Sequence, residues 1–288
     1  MNSYVIYTDS GSDIRPEVLK EWGVPSNSLT FRFDGLDKEY SNGDMDVKSF
    51  YDMMRKGSVA KTAAVNSQTF LMGFEKVLQE GKDLLYLGFS SGLSTTYNSA
   101  RLAAEVLRES YPNRKILVVD TLAASAGQGL LVYLALQKQK EGASIEENAA
   151  YIEELKWKLC HWFTVDDLVY LKRGGRISPA AAMIGNMLAI KPVLHVDNEG
   201  HLVNVSKVRG RKNALSTIAD QYGKLALDPK GGTVFISHAD CQADAELVAS
   251  MLRERYGAEV QLFTDVGPVI GAHAGPGTFA LFFVGKER

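Results

Sequence analysis

The run Asp83-Leu-Leu-Tyr-Leu-Gly88 passes directly into Phe89-Ser-Ser-Gly-Leu-Ser-Thr-Thr96. The first part is a short apolar stretch of the buried-strand type. The second is a polar, Gly-containing loop, after which a helix is expected from Thr95 to Tyr111. A short turn then reaches another strand, Lys115 to Asp120. Strand, polar loop, helix, strand is the unit from which parallel sheets are built. The same order is read upstream. Val5 to Thr8 is a strand, Asp9-Ser-Gly-Ser-Asp13 a loop, and Pro16 opens a helix that Gly23 stops. Ser28 to Phe33 reads as a second strand, and Asp46 as the N-cap of a helix closed by Gly57. Ala60 to Asn66 reads as a polar loop before a helix from Ser67 to Glu80. Downstream, Thr121 to Ser125 opens a long apolar helix. Ser144 and Glu147 form a capping box for a helix that runs to Leu159. Residues 1–159 are therefore predicted to form a mostly parallel α/β/α sandwich. Ligands in such sheets bind outside the carboxyl ends of the strands, where the loops at 9–13, 90–96 and 121–129 converge.

Beyond Leu159 the order changes. Trp162 to Val165 looks extended, Pro179 to Leu188 is a small-residue apolar helix, and Asp197-Asn-Glu-Gly200 signals a hairpin. Helices are expected at 211–227 and 241–256. Strands at 259–264 and 278–284 flank a Gly/Pro-rich loop at 267–277. Residues 160–288 thus read as a separate α+β domain. The 288 residues, 45% of them hydrophobic, can supply two cores. A net charge of -2 argues against nucleic-acid binding. Cys160 and Cys241 fit no metal spacing and read as reduced thiols. No signal peptide and no apolar run of the ~18 residues that span a bilayer is visible, so a cytoplasmic location is expected.

Several groups carry potential chemistry. Gly88-Phe-Ser-Ser-Gly92 fits a nucleophile elbow centred on Ser90, which makes a serine hydrolase the alternative reading. Ser94, Thr95 and Thr96 stand at a helix start, where free N–H groups and hydroxyls suit an anion. Thr62 lies in another polar loop of the same half. Asp9 and Asp13 read as loop and capping carboxylates. His161 and His238 read as satisfied core or edge residues, His195 and His201 as exposed hairpin residues. His273, among Gly271, Gly275 and Gly277, reads as functional. Two basic clusters, Lys172-Arg-Gly-Gly-Arg176 and Lys207-Val-Arg-Gly-Arg-Lys212, suit an anionic partner. No phosphate-binding Gly-x-x-x-x-Gly-Lys-Ser/Thr loop occurs, so no ATP turnover by the chain alone is expected.

Taken in order, Thr8-Asp-Ser-Gly-Ser-Asp13, Lys61-Thr62, Ser90 to Tyr97, Val119-Asp-Thr121 with Ser125, Gly127 and Gly129, Leu171 to Ser178, Lys191-Pro192, Lys207 to Arg211, and Gly267 to His273 with Gly275-Pro-Gly277 resemble the DegV family over essentially the whole chain. The resemblance implies two α/β domains with a long-chain fatty acid, palmitate- or oleate-like, buried in a tunnel between them. It implies a carboxylate held by Thr62 and Ser94, with His273 nearby; Thr95, a residue of this chain's own at that place, is read as a further donor. It also implies a non-catalytic role: the protein presents the fatty acid to a separate ATP-binding fatty acid kinase, and the acyl phosphate enters phospholipid synthesis. Arg173, Arg176, Arg209 and Arg211 are expected around the mouth for partner docking, with transient contact to a membrane surface. Leu93, Met183, Ile184, Leu188, Ile190, Ile270 and Phe282 are expected to line the tunnel. No metal, cofactor or nucleic acid is implied. The chain departs from the family at Ala63, Ala64 and Val65, and at Thr95 where a Gly is usual.

Overall fold

A computed structural model of the chain describes residues 3–178 and 189–288. The first half contains β1 (Tyr4–Asp9), α1 (Pro16–Trp22), β2 (Ser26–Asn27), β3 (Thr30–Phe33), β4 (Tyr40–Ser41), α2 (Val47–Arg55), β5 (Ala60–Ala63), α3 (Ser67–Gln79), β6 (Asp83–Gly88), α4 (Thr96–Ser110), β7 (Ile116–Asp120), α5 (Ala126–Lys140) and α6 (Ile145–Leu155). Strands β2-β1-β6-β7 form a four-stranded sheet whose pairs are all parallel. Period-two alternation sends Tyr7, Leu84 and Tyr86 to the core shared with Phe70, Phe74 and Ala103 of α3 and α4. Ile6, Leu85 and Leu87 go to the opposite core, with Leu130, Leu131 and Ile152 of α5 and α6. This is the α/β/α sandwich read from the sequence.

Two details differ. The strand expected over Ser28 to Phe33 is β3 alone, and it belongs not to the parallel sheet but to a three-stranded antiparallel sheet, β4-β3-β5, while β2, just before it, extends the parallel sheet. The pivot is Leu29, buried between them. The expected loop at Ala60 to Asn66 begins as β5, and Thr62 pairs with Phe31. Its alternation is too weakly apolar to register, because both faces of Ala60-Lys-Thr-Ala63 stay partly open.

The second half contains β8 (Leu159–Thr164), α7 (Val169–Arg173), β9 (Ile190–Val196), β10 (Leu202–Arg209), α8 (Arg211–Leu225), β11 (Val234–His238), α9 (Gln242–Tyr256), β12 (Leu262–Asp265), α10 (Pro268–Ala274) and β13 (Phe279–Val284). Its six strands run β10-β9-β8-β13-β11-β12, antiparallel except for the pair β11–β12. One face packs on α8 and α9 through Ile218, Tyr222, Val248, Leu252, Leu281 and Phe283. The other packs on α5 through Phe163, Phe235, Ala280 and Phe282. The loop expected at 267–277 contains α10: Pro268 stands at its first position and Gly275 ends it. The helix expected over 179–188 lies outside the described residues.

Helix α5 therefore separates two sheets. Its first seven residues, Ala126 to Val132, are all buried. An all-round buried face is the mark of an internal helix. Two glycines let it approach closely: a Cβ at Gly127 would sit 2.4 Å from His161 Nε2, and one at Gly129 2.4 Å from Ile14 Cδ1. Asp13 ties the halves together. Its carboxylate accepts from Ser125 Oγ at 2.5 Å and from the Gly267 N–H at 3.0 Å, and its carbonyl accepts from Thr264 Oγ1 at 2.7 Å.

Gly127→Ala is expected to cost about 1–3 kcal/mol by overpacking. Urea unfolding checks this: the midpoint falls while the slope stays unchanged. The Asp13 carboxyl is pushed up from 3.8 to about 7, chiefly by burial, against the opposing pull of Ser125. Folding thus favours its protonated form. That contribution is complete below about 3.8 and is lost as pH rises through about 7. Asp13→Asn, which cannot ionise, is expected to gain in Tm relative to wild type as pH is raised across this window, and calorimetry at several pH values reads it.

Candidate functional site

A cavity of about 320 Å³ lies between the two lobes. Its walls come from β5, the loop after β6, the start of α5, α10 and the α5-facing side of the second sheet. One end is polar. Thr62 Oγ1, carried by β5, lies 2.8 Å from His273 Nε2, carried by the last turn of α10. Ser94 Oγ lies 2.8 Å from Thr96 Oγ1 and accepts from the Thr96 N–H at 3.2 Å, so it stands at the opening of α4. Thr95, the N-cap residue, makes no side-chain cap bond. All four expected carboxylate-site residues, Thr62, Ser94, Thr95 and His273, line this cavity. Ala63 and Ala64 line it too, whereas Val65 is buried in the core beside α3.

His273 is held neutral. Burial, and next the nearby Arg176 guanidinium, lower it from 6.5 to about 4. Gly174 is packed against it: a Cβ there would sit 2.2 Å from His273 Nδ1. That nitrogen has no hydrogen-bond partner among the described residues. Arg176 also shapes the mouth, donating from Nε to the Leu93 carbonyl at 3.2 Å.

The body is apolar. Leu93, Ile270 and Phe282 contribute to it as expected from the sequence, joined by Phe89, Phe163 and Val269. Ile190 is not part of the lining, and Met183, Ile184 and Leu188 lie outside the described residues. The inner end holds Ser125, from the 121–129 loop expected at the ligand site, and two polar residues that sequence reasoning did not assign there, Ser237 and His161. The expectation that His161 is a satisfied core residue needs correction, because its Nε2 has no partner among the described residues. Its place in an apolar strand gave no signal of this. His195 is half-buried on Trp162, with ring centroids 4.8 Å apart, rather than exposed.

Of the four expected mouth arginines only Arg176 lines the cavity. Arg173 lies over the Tyr170 ring at 5.6 Å, and Arg209 is exposed on β10. Arg211 is engaged elsewhere, donating to Asp244 at 2.9 Å and to the Gly277 carbonyl at 2.6 Å. Ser90 is fully buried and donates to the Gly200 carbonyl at 3.0 Å while accepting from the Gly92 N–H. Among the described residues no imidazole bonds it, so the elbow lacks a general base in this arrangement. Among the described residues, metal-ligating atoms cluster only at Asp197, Glu199 and His201, on the β9–β10 turn and outside the cavity lining. There Asp197 already accepts from the Glu199 and His201 N–H groups, each at 2.9 Å.

An apolar body with convergent hydroxyls at one end suits an amphipathic ligand. The DegV family model, described as that of an uncharacterised protein, matches residues 3–286.

The chain belongs to the DegV family.

A DegV domain-containing protein of Clostridium perfringens is 45% identical over 289 residues, covering 100% of this chain and 99% of its own. A fatty-acid-binding DegV protein of Thermus thermophilus has a solved structure 30% identical, with a TM-score of 0.85 and coverage of 99% and 100%. A DegV lipid-binding protein of Thermotoga maritima is 29% identical, with a TM-score of 0.86 and coverage of 99% of both chains. Like them, this DegV chain is a mixed α/β protein. Among its described residues no helix is long and apolar enough to cross a membrane.

For this DegV protein the imidazole of His273 is expected to titrate near pH 4 in NMR spectra, from its lowered value of about 4. A base depressed on folding contributes stability that is full above about 6.5 and lost as pH falls toward about 4. His273→Gln is expected to flatten that part of the stability profile.

Proposed function

We propose that this chain binds a long-chain fatty acid in the cavity and presents its carboxylate to a separate ATP-binding kinase, which forms the acyl phosphate. The observation that carries the reading is the pairing of Thr62 with His273, beside Ser94, at one end of an otherwise apolar cavity between the lobes that divide near Leu159. A carboxylate only accepts hydrogen bonds. With the proton on His273 Nε2 donating to Thr62 Oγ1, the threonine hydrogen is released to the ligand, and Ser94 and Thr95 supply further hydroxyl donors. These donors are neutral. A Lys or Arg in direct contact would stabilise the carboxylate and blunt its attack on a phosphoryl group. The fatty-acid-binding relative from Thermus thermophilus and the lipid-binding relative from Thermotoga maritima support the ligand class.

The chain itself contributes no catalytic group or metal in this reading. The exposed Arg173, Arg176 and Arg209 serve docking of the kinase and of its phosphorylated product, since guanidinium forks suit multiply charged oxyanions. Arg211 acts indirectly, by holding the Asp244 and Gly277 segments beside the mouth. The cytoplasm, where ATP is available, is the compartment this role requires.

Organic extraction of purified protein, followed by mass spectrometry, is expected to yield stoichiometric long-chain fatty acid. Empty protein that hydrolyses acyl esters, and stops doing so as Ser90→Ala, would instead favour the hydrolase. Thr62→Val and Ser94→Ala are each expected to weaken fatty-acid affinity about tenfold or more, the value of one hydrogen bond to a charged acceptor. The tail, at ~0.8 kcal/mol per buried CH₂, keeps some lipid bound. Kinase-coupled phosphorylation should fall further, by about 10²-fold, because the reacting oxygen is misplaced. Wild-type turnover in both variants would move the head group elsewhere.

A further inference from the structure

The inner end of the cavity has a chemistry that carboxylate binding leaves unused. Just before β13, Thr278 faces the cavity beside the C-terminal end of α10, to whose Ala274 carbonyl it donates at 3.0 Å. Ala280 and then Phe282 follow it along the wall. Four residues of strand place Phe282 ~13 Å further in. His161 is paired with Phe282, and Ser237 with Ala280. Both are on the wall, in a region otherwise formed by side chains such as Phe163 and Val196.

With the Asp13 carboxyl ionised, as it is above about pH 7, the hydrogens at this end are all committed. Ser125 Oγ donates to Asp13 at 2.5 Å. Ser237 Oγ lies 3.0 Å from Ser125 Oγ, so with the serine 125 proton already spent Ser237 is the donor of that pair. His161 Nδ1 lies 3.3 Å from the Leu159 carbonyl oxygen, which can only accept. Nδ1 therefore carries the ring proton and Nε2 is a lone pair. Burial keeps the ring neutral. The side chain is 1% exposed, and Nε2 has no partner among the described residues. What remains is a set of acceptors, His161 Nε2 and the Ser237 oxygen, gathered where the first turn of α5 meets the sheet. Buried acceptors of this kind call for a donor, and a methylene chain has none. The ring packs edge-on against Gly127. Its broad χ2 well allows a modest turn toward the chain.

We infer that the inner end is a second subsite, selective for acyl chains that carry a mid-chain hydroxyl whose O–H donates to one of the two acceptors there, His161 Nε2 or Ser237 Oγ. The inference rests on the cavity being a fatty-acid site. A keto oxygen, which only accepts, gains nothing there.

The test is competition between ricinoleic and oleic acids, which differ by one hydroxyl, for the purified full chain, read by native mass spectrometry. Ricinoleic acid is expected to be retained over oleic acid by about fivefold or more, and the ketone of ricinoleic acid to show no such gain. His161→Phe should bring the ratio near one. Ser237→Ala should lower it part-way, and it decides the matter if the first variant does not fold. Uptake of oleic acid with no preference for ricinoleic acid means that water alone meets these groups. That overturns the subsite and leaves the fatty-acid reading standing. Uptake of neither acid overturns both, and a preference unchanged in both variants overturns the roles assigned to these residues.

Discussion

Helix α5 is the constraint on which the rest depends. A helix buried all round at its N-terminal half cannot end a domain; it must be covered on both sides. The four-stranded parallel sheet covers one side, and the six-stranded sheet covers the other. The close approach at Gly127 and Gly129 sets how near those sheets can come. Ser125, at the helix start, stands in an unusual backbone conformation with φ 54° and ψ -149°. Bonds from its hydroxyl and its N–H, to Asp13 and to the Gly11 carbonyl, hold it there. The cavity exists because the sheets, kept apart by α5, are not filled by side chains beyond its N-terminus.

The polar end follows a consistent electrostatic rule. Groups that touch the cavity are hydroxyls and neutral imidazoles, while charges are kept one layer back or at the rim. Asp13 sits behind Ser125, and Arg176 sits at the mouth. Low dielectric makes a bare charge costly and a neutral donor effective. A site of this kind can hold an anion without stabilising it so strongly that its reactivity is lost.

Much of this was legible in the sequence, for a physical reason. Parallel strands such as Asp83 to Gly88, buried on both faces, are written as continuous apolar runs, and helix caps such as Ser144 with Glu147 are local. Ser94 could be placed at a helix start because its strand and helix were both clear. What escaped depended on distant partners. Nothing near Thr62 says that it joins a strand, since β5 is held by pairing with Phe31 and not by its own side chains. The residues around His273 read as a loop because their glycines suggested one, but Gly271 serves close packing on Tyr51. Arg211 looked like a mouth residue by its neighbours in sequence, and its partner Asp244 is on another helix. The orphan nitrogen of His161 has no sequence signature at all.

The position of β13 has a consequence for how the molecule comes into being. It is the latest strand in the sequence, yet it lies inside the second sheet, between β8 and β11. During synthesis β8 and its first partner β9 emerge long before β13, which pairs along the other edge of β8. That hydrophobic edge, Leu159 to Thr164, must wait unpaired, exposed to wrong partners in the manner of any open sheet edge. The parallel sheet of the first half needs nothing from that later strand and can assemble on the ribosome first. The second half closes only when β13 arrives, and with it the cavity, since Thr278, Ala280 and Phe282 form one of its walls. The cavity thus takes shape only once β13 is in place, and any ligand that filled it would seal that late step of folding.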